Sequence, residues 1–218
     1  MYMKYTAVIV AAGSGTRMKL GYNKVYAKMQ DGRTILAHTM DVFRADPDCI
    51  QIVVVTEALH YYHETENDRW PGLITIARGG KTRQESVYNG VIAALGDYVM
   101  IHDGARPYLD AEILDRIKRV LPRNKAVLTA VPCKDTIKQT DPKGYVVSTY
   151  ERSILCAAQT PQAFKTELLL DCLHKAKKAG FTGTDDCSVV EAFSDVRIRI
   201  VEGSYANIKI TTPEDLPQ

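Results

Sequence analysis

The chain has 218 residues, 45% hydrophobic and 25% charged, with a formal net charge of +2. That is enough for one sizeable core and too even a charge balance to point to nucleic acid or an anionic membrane surface. No apolar run approaches the roughly 20 residues of a membrane helix, the opening "MYMKYTAVIV" lacks a signal-peptide pattern, and Cys49, Cys133, Cys156, Cys172 and Cys187 form no C-x-x-C pair, so a cytoplasmic protein with reduced thiols is expected.

In chain order, "TAVIVAA" (6–12) reads as a buried strand, "TILAHTMDVFRA" (34–45) as a helix and "IQIVVVT" (50–56) as a second strand. A fainter helical pattern follows at 58–70. Then come a strand "LITIA" (73–77), a helix at 83–95, a strand "YVMIHD" (98–103), a helix at 111–121 and a strand "KAVLTAVP" (125–132). These strands are apolar on both faces, as parallel strands covered by helices are. "KDTIKQTDPKGYVVSTYER" (134–152) alternates around a turn signal and reads as a hairpin with polar residues on both faces. A hairpin alone is marginally stable, so a second subunit is its expected support. Helices at 165–180 and 184–193 and a strand at 197–202 precede the end segment "ANIKITTPEDL" (206–216). The alternation predicts an α/β fold: a doubly wound, mostly parallel Rossmann-like sheet in one domain, 1–218, with a protruding β-hairpin arm.

Ligands of such sheets bind beyond the carboxyl ends of the strands, which selects "AAGSGTRM" (11–18), "HDGARPYL" (102–109) and "VPCKDTIK" (131–138). The first loop lacks the third glycine of a dinucleotide fingerprint, since Met18 stands there, and lacks the G-K-[ST] of a P-loop. Its five small residues, Ala11, Ala12, Gly13, Ser14 and Gly15, let backbone amides approach a phosphate, with Arg17 and then Lys24 adding charge. The bland alternative for the loop alone is a tight strand-to-helix turn with surface charges. Asp103 ends an apolar strand, where an acid needs a partner or faces a cleft; it reads as a ligand-facing carboxylate, with Arg106 beside it for phosphate. His102 reads as structural. His60 and His63 have no third metal ligand in view.

"AAGSGTRM" with Lys24 resembles the signature of nucleotidyltransferases. "GGKTRQESV" (79–87), "HDGARPYL", "AVPCKDTIK" (130–138), "QTPQAF" (159–164), "TDD" (184–186) and "EGSYANIKITTPEDL" (202–216), in that order, resemble the 2-C-methyl-D-erythritol 4-phosphate cytidylyltransferases over essentially the whole chain. The resemblance implies CTP, a polyol phosphate and Mg2+ held mainly by the triphosphate, with no metal ligand assigned. It implies a catalytic set of Arg17, Lys24 and Lys209. CTP would lie on Ala11 to Gly15, Gly80, Lys81, Arg83, Ser86, Asp103 and Gly104. The base and ribose fall to the segment 80–86, with Lys81 contributing backbone because it replaces an acid. The polyol phosphate would lie on Asp103, Arg106, Thr136, Arg152, Thr160 and Thr184. It also implies a homodimer in which the arm completes the neighbouring site. Asn23 and Val25 replace the family's usual proline and glutamine around Lys24, which predicts a less rigid loop. Lys209 is expected on a strand, facing away from Ile208 and Ile210.

The implied nucleophile is a phosphate oxygen, already ionised near neutral pH, so no general base is needed and catalysis rests on positioning and charge stabilisation. A ribitol-5-phosphate cytidylyltransferase shares the CTP site and differs by a group worth about 1–3 kcal/mol in a pocket. A non-catalytic nucleotide-binding regulator is the alternative of another class; Arg17, Lys24, Asp103 and Lys209 together speak against it.

Overall fold

The computed structural model describes residues 3–13, 22–57 and 72–215. Ser14, Gly15, Arg17 and the faint helical pattern with His60 and His63 lie outside the described residues. Strands β1 (Tyr5–Val10), β2 (Cys49–Thr56), β3 (Ile74–Arg78) and β4 (Tyr98–Asp103) pair in parallel in the order β3–β2–β1–β4. Among the described residues, β8 (Cys156–Lys165), β5 (Ala126–Pro132) and β9 (Arg199–Glu202) extend this to a seven-stranded sheet.

Side chains alternate across a strand, and both sets here are apolar. Ala7, Ile9, Ile52, Val54 and Met100 pack on one side with α1 (Ile35–Ala45) and α3 (Ala111–Asn124). Val8, Val53, Val55, Val99 and Ile101 pack on the other with α2 (Arg83–Ile92), α4 (Thr166–Ala179) and α5 (Asp186–Phe193). The fold is thus doubly wound. Side-chain caps start α1, α2 and α5: the Thr34 hydroxyl accepts from Ala37 N at 2.9 Å, that of Thr82 from Glu85 N at 3.1 Å, and Asp185 forms a capping box with Ser188. The chain runs outward from β1 to β2 and β3, then crosses back to place β4 on the other side of β1. The switch point, and hence the crevice, lies at the carboxyl ends of β1 and β4.

β8 departs from the sequence expectation, which placed no strand there. It runs antiparallel between β4 and β5, so β5 is parallel to β9 alone. The strand conceals itself because Gln159, Thr160 and Gln162 are buried in its middle. Each has a dedicated partner: Gln159 Nε2 donates to Ser204 O, Gln162 Nε2 to Asp185 Oδ2, and Thr160 meets His102. Beside them, Gln159 to Pro161 bulge opposite Thr129, whose hydroxyl donates to Pro161 O at 2.7 Å.

The hairpin forms as expected from β6 (Lys138–Thr140) and β7 (Val146–Thr149). Asp141 Oδ1 accepts from Lys143 N and Tyr145 N across the turn, and Gly144 takes a φ of 87°, in the left-handed region. Its faces are less polar than expected: Tyr145, Val146 and Val147 are 70%, 61% and 60% exposed. Three cysteines, Cys49, Cys172 and Cys187, are core filler; Cys156 is exposed.

Candidate active site

A cavity of about 440 Å³ opens at the switch point. Ala11, Ala12 and Gly13 after β1, Gly80 to Arg83 after β3, and Gly104 and Ala105 after β4 build its walls, with Lys24 and Lys209 added from either end of the chain. Close packing requires the glycines. A Cβ on Gly79 would sit 2.4 Å from that of Ala12, and one on Gly80 would sit 2.3 Å from that of Glu85. The Gly80 amide donates to Ser86 Oγ at 3.0 Å, and that hydroxyl donates to Thr82 O. Ser86 therefore shapes the loop as well as lining the cavity. The Lys81 amide, expected to face the ligand, instead donates to Glu85 Oε2 at 2.7 Å.

Asn23 replaces loop flexibility with two contacts. Its Nδ2 donates to Ala11 O, and its Oδ1 accepts from Val25 N at 3.2 Å, capping the 3-10 turn Lys24–Tyr26. Val25 and Tyr26 are buried, with the Tyr26 hydroxyl 2.8 Å from Thr56 Oγ1. These contacts tie Asn23 to the end of β1 and to the turn that carries Lys24.

Among the described residues, the lining carries four cations, Lys24, Lys81, Arg83 and Lys209, against one carboxylate, Asp103. Asp103 lies 2.9 Å from Lys209 Nζ and 3.5 Å from both Arg83 Nε and Arg106 Nε. Burial pushes its pKa up, but Lys209 and then Arg83 outweigh this and hold it well below the usual carboxylate range. The cavity is therefore a net cationic pocket of nucleotide size.

His102 is fully buried, and burial pushes its pKa down to about 4. It is neutral, and its partners fix the tautomer. Arg106 O, 3.1 Å from Nε2, can only accept, so Nε2 carries the proton; Nδ1 then accepts from Thr160 Oγ1 at 2.9 Å. Thr160 Oγ1 in turn accepts from the Asp103 amide. His102 is structural, and Thr160, 4% exposed, serves this relay behind the cavity rather than lining it.

Arg106 is likewise turned inward. Its Nη1 donates to Asn207 O at 2.6 Å, its side chain is 12% exposed, and it does not line the cavity. Thr136, Arg152 and Thr184 are exposed and also stand outside it; Arg152 Nη1 donates to Lys134 O. Lys209 reaches the site but not from a strand. Residues 207–210 have no regular secondary structure, with Ile208 41% exposed and Ile210 fully buried, so these neighbours do not share a face. Asn207 Nδ2 on Thr160 O and Ile210 N on Ala105 O pin the segment.

Sequence reasoning passed over three contributors. Thr82 and Thr211 line the cavity, and Asp186 takes Arg83 by both terminal nitrogens. "TDD" was the signal for the last of these, read there only for Thr184.

The family described as IspD, 2-C-methyl-D-erythritol 4-phosphate cytidylyltransferase, matches residues 5–218. A curated relative so named from Geobacillus thermodenitrificans is 43% identical over 218 residues, 98% of this chain and 94% of the relative. One from Clostridioides difficile is 43% identical over 97% of this chain and 90% of its own length. Among solved structures, 4-diphosphocytidyl-2C-methyl-D-erythritol synthase from Anaerococcus prevotii superposes with a TM-score of 0.87 at 33% identity, covering 98% of this chain and 92% of that one. The cytidylyltransferase from Thermus thermophilus gives 0.80 at 29%, covering 98% and 95%. Likeness of this extent takes in every segment that walls the cavity, and on it the chain belongs to the 2-C-methyl-D-erythritol 4-phosphate cytidylyltransferase family.

Proposed function

We propose that the chain transfers a cytidylyl group from CTP to 2-C-methyl-D-erythritol 4-phosphate and releases pyrophosphate, a step toward isoprenoid precursors. The observation that carries this is the cationic cavity at the switch point, whose one lining carboxylate is neutralised by Lys209 and Arg83. Such a site gathers polyanions, and the reaction brings two together. The attacking phosphate oxygen is already ionised, so the buried, doubly bonded His102 is not required as a base. Lys24 and Lys209, with Arg17, stabilise charge on the α-phosphate and leaving pyrophosphate. Lys209 exchanges Asp103 for phosphate when CTP enters. Gly80, Arg83 and Ser86 frame the cytosine and ribose.

Magnesium enters with CTP as counter-ion of its triphosphate. The donor set favours this over a resident metal: among the described residues no group of three metal-ligating side chains occurs, and Asp103 already faces three cations. The arm's exposed Tyr145, Val146 and Val147 seat on a second copy in a homodimer, bringing Thr136 and Arg152 to the partner's polyol-phosphate site. The reaction's soluble substrates fit the cytoplasm, and no helix of the described residues is long and apolar enough to cross a membrane.

Pyrophosphate release with Mg2+ and CTP tests the reading. Methylerythritol 4-phosphate should support turnover and ribitol 5-phosphate should not; the reverse preference would reassign the acceptor. Lys24→Ala should lower turnover by roughly 10²–10³ with melting unchanged; near-native turnover would remove Lys24 from its role.

A further inference from the structure

We infer that Asp186 is a positioning residue for the nucleotide: it grips the Arg83 guanidinium from behind and fixes how that group faces the cavity. The inference rests on the cytidylyl reading of the cavity and names a residue that reading leaves unused.

Asp186 opens α5 with its side chain 2% exposed. Its Oδ1 accepts from Arg83 Nη1 at 3.0 Å and its Oδ2 from Arg83 Nη2 at 2.8 Å. A two-point contact fixes the plane of a guanidinium, which one contact does not. With both terminal nitrogens held, Nε is the edge left toward Asp103 Oδ1, 3.5 Å away. Burial opposes the charge on Arg83, but Asp186 and then Asp103 outweigh it and raise its pKa. Arg83 is 31% exposed at its side chain and lines the cavity, while Asp186 lies behind it.

A purely architectural role would have Asp186 fasten α5 to the domain, but other bonds already do this. Gln162 Nε2 donates to Asp185 Oδ2 and its Oε1 accepts from Cys187 N, at 2.8 and 2.9 Å. Gln84 Oε1 accepts from Gly183 N, and Gln84 Nε2 donates to Phe181 O. The segment before α5 is thus held at both sides without the Asp186 carboxylate. Its distinctive work is on Arg83. Without it, the carboxylate left beside Arg83 is Asp103, and a guanidinium that turns onto Asp103 presents a different edge to the cavity and competes with Lys209.

Calorimetric titration of native, Asp186→Asn, Arg83→Gln and the double variant with CTP and Mg2+, alongside kcat and KM, tests this. Asp186→Asn should raise the Kd and KM for CTP about tenfold while kcat changes by less than about threefold, the pattern of lost ground-state binding. In the Arg83→Gln background, Asp186→Asn should add nothing beyond about twofold, because the residue acts through Arg83. That pair places two neutral amides at the contact and carries the test even where Asp186→Asn alone misfolds. Native-like CTP binding by Asp186→Asn, or a full further loss in the Arg83→Gln background, overturns the inference. Failure of the native protein to bind CTP overturns the cytidylyl reading and this inference with it.

Discussion

Asp103 and His102 are adjacent and are pushed to opposite protonation extremes, each by a cause visible in its neighbours. Asp103 stays charged because cations flank it; His102 stays neutral because its burial outweighs the Arg106 carbonyl bond and the nearby Asp103 charge. The second effect has a pH signature. A histidine titrates near 6.5 when unfolded and near 4 here, so between these values the unfolded chain binds the extra proton. Stability therefore falls as pH drops through that window, by up to about 3 kcal/mol from this residue. Asp103 behaves alike but lower, since a depressed carboxylate loses its stabilisation as pH falls through its folded pKa. Urea midpoints of His102→Asn should be lower than native at neutral pH yet flatter from pH 6.5 to 4. An equally steep decline in the variant would assign the acid sensitivity elsewhere.

Among the elements, legibility followed burial pattern. β1, β2 and β4 announced themselves because a strand covered on both faces is apolar throughout, and the crevice followed from their parallel order. β8 did not, because its centre carries Gln159, Thr160 and Gln162, whose burial is offset by partners far along the chain. Lys209 lines the cavity but does not stand on the expected strand; alternation of apolar residues signals a strand only when they share a face, and Ile208 and Ile210 do not. Asp186 was invisible as an Arg83 partner because 103 residues separate the two. The loop before α2 offers a sharp test of close packing. Gly80→Ala puts a methyl 2.3 Å from Glu85 Cβ and 2.9 Å from its backbone carbon, so the loop must shift and its bond to Ser86 be lost. CTP KM should rise about tenfold or more with little change in melting; an unchanged KM would show that the loop has room.

At the scale of the whole molecule, the cavity and the arm are separate, and Thr136 and Arg152 stand exposed outside the cavity that holds Lys24. If two copies exchange arms, damage to the cavity and damage to the arm are repaired by different chains. Mixing dissociated Lys24→Ala and Arg152→Glu proteins should then recover about a quarter of native turnover, since half the dimers are mixed and each has one intact site. No recovery, with dimers shown to have exchanged, would place Arg152 in its own chain's site. The segment 207–211 has a further consequence, in the order of synthesis. β1 precedes the other described strands and lies inside the sheet, whereas Lys209 and Thr211 follow every described strand and close the cavity wall. A nascent chain on the ribosome can assemble its parallel strands from the N-terminal side while its pocket still lacks one wall, so binding competence arrives only once the segment 207–211 has emerged.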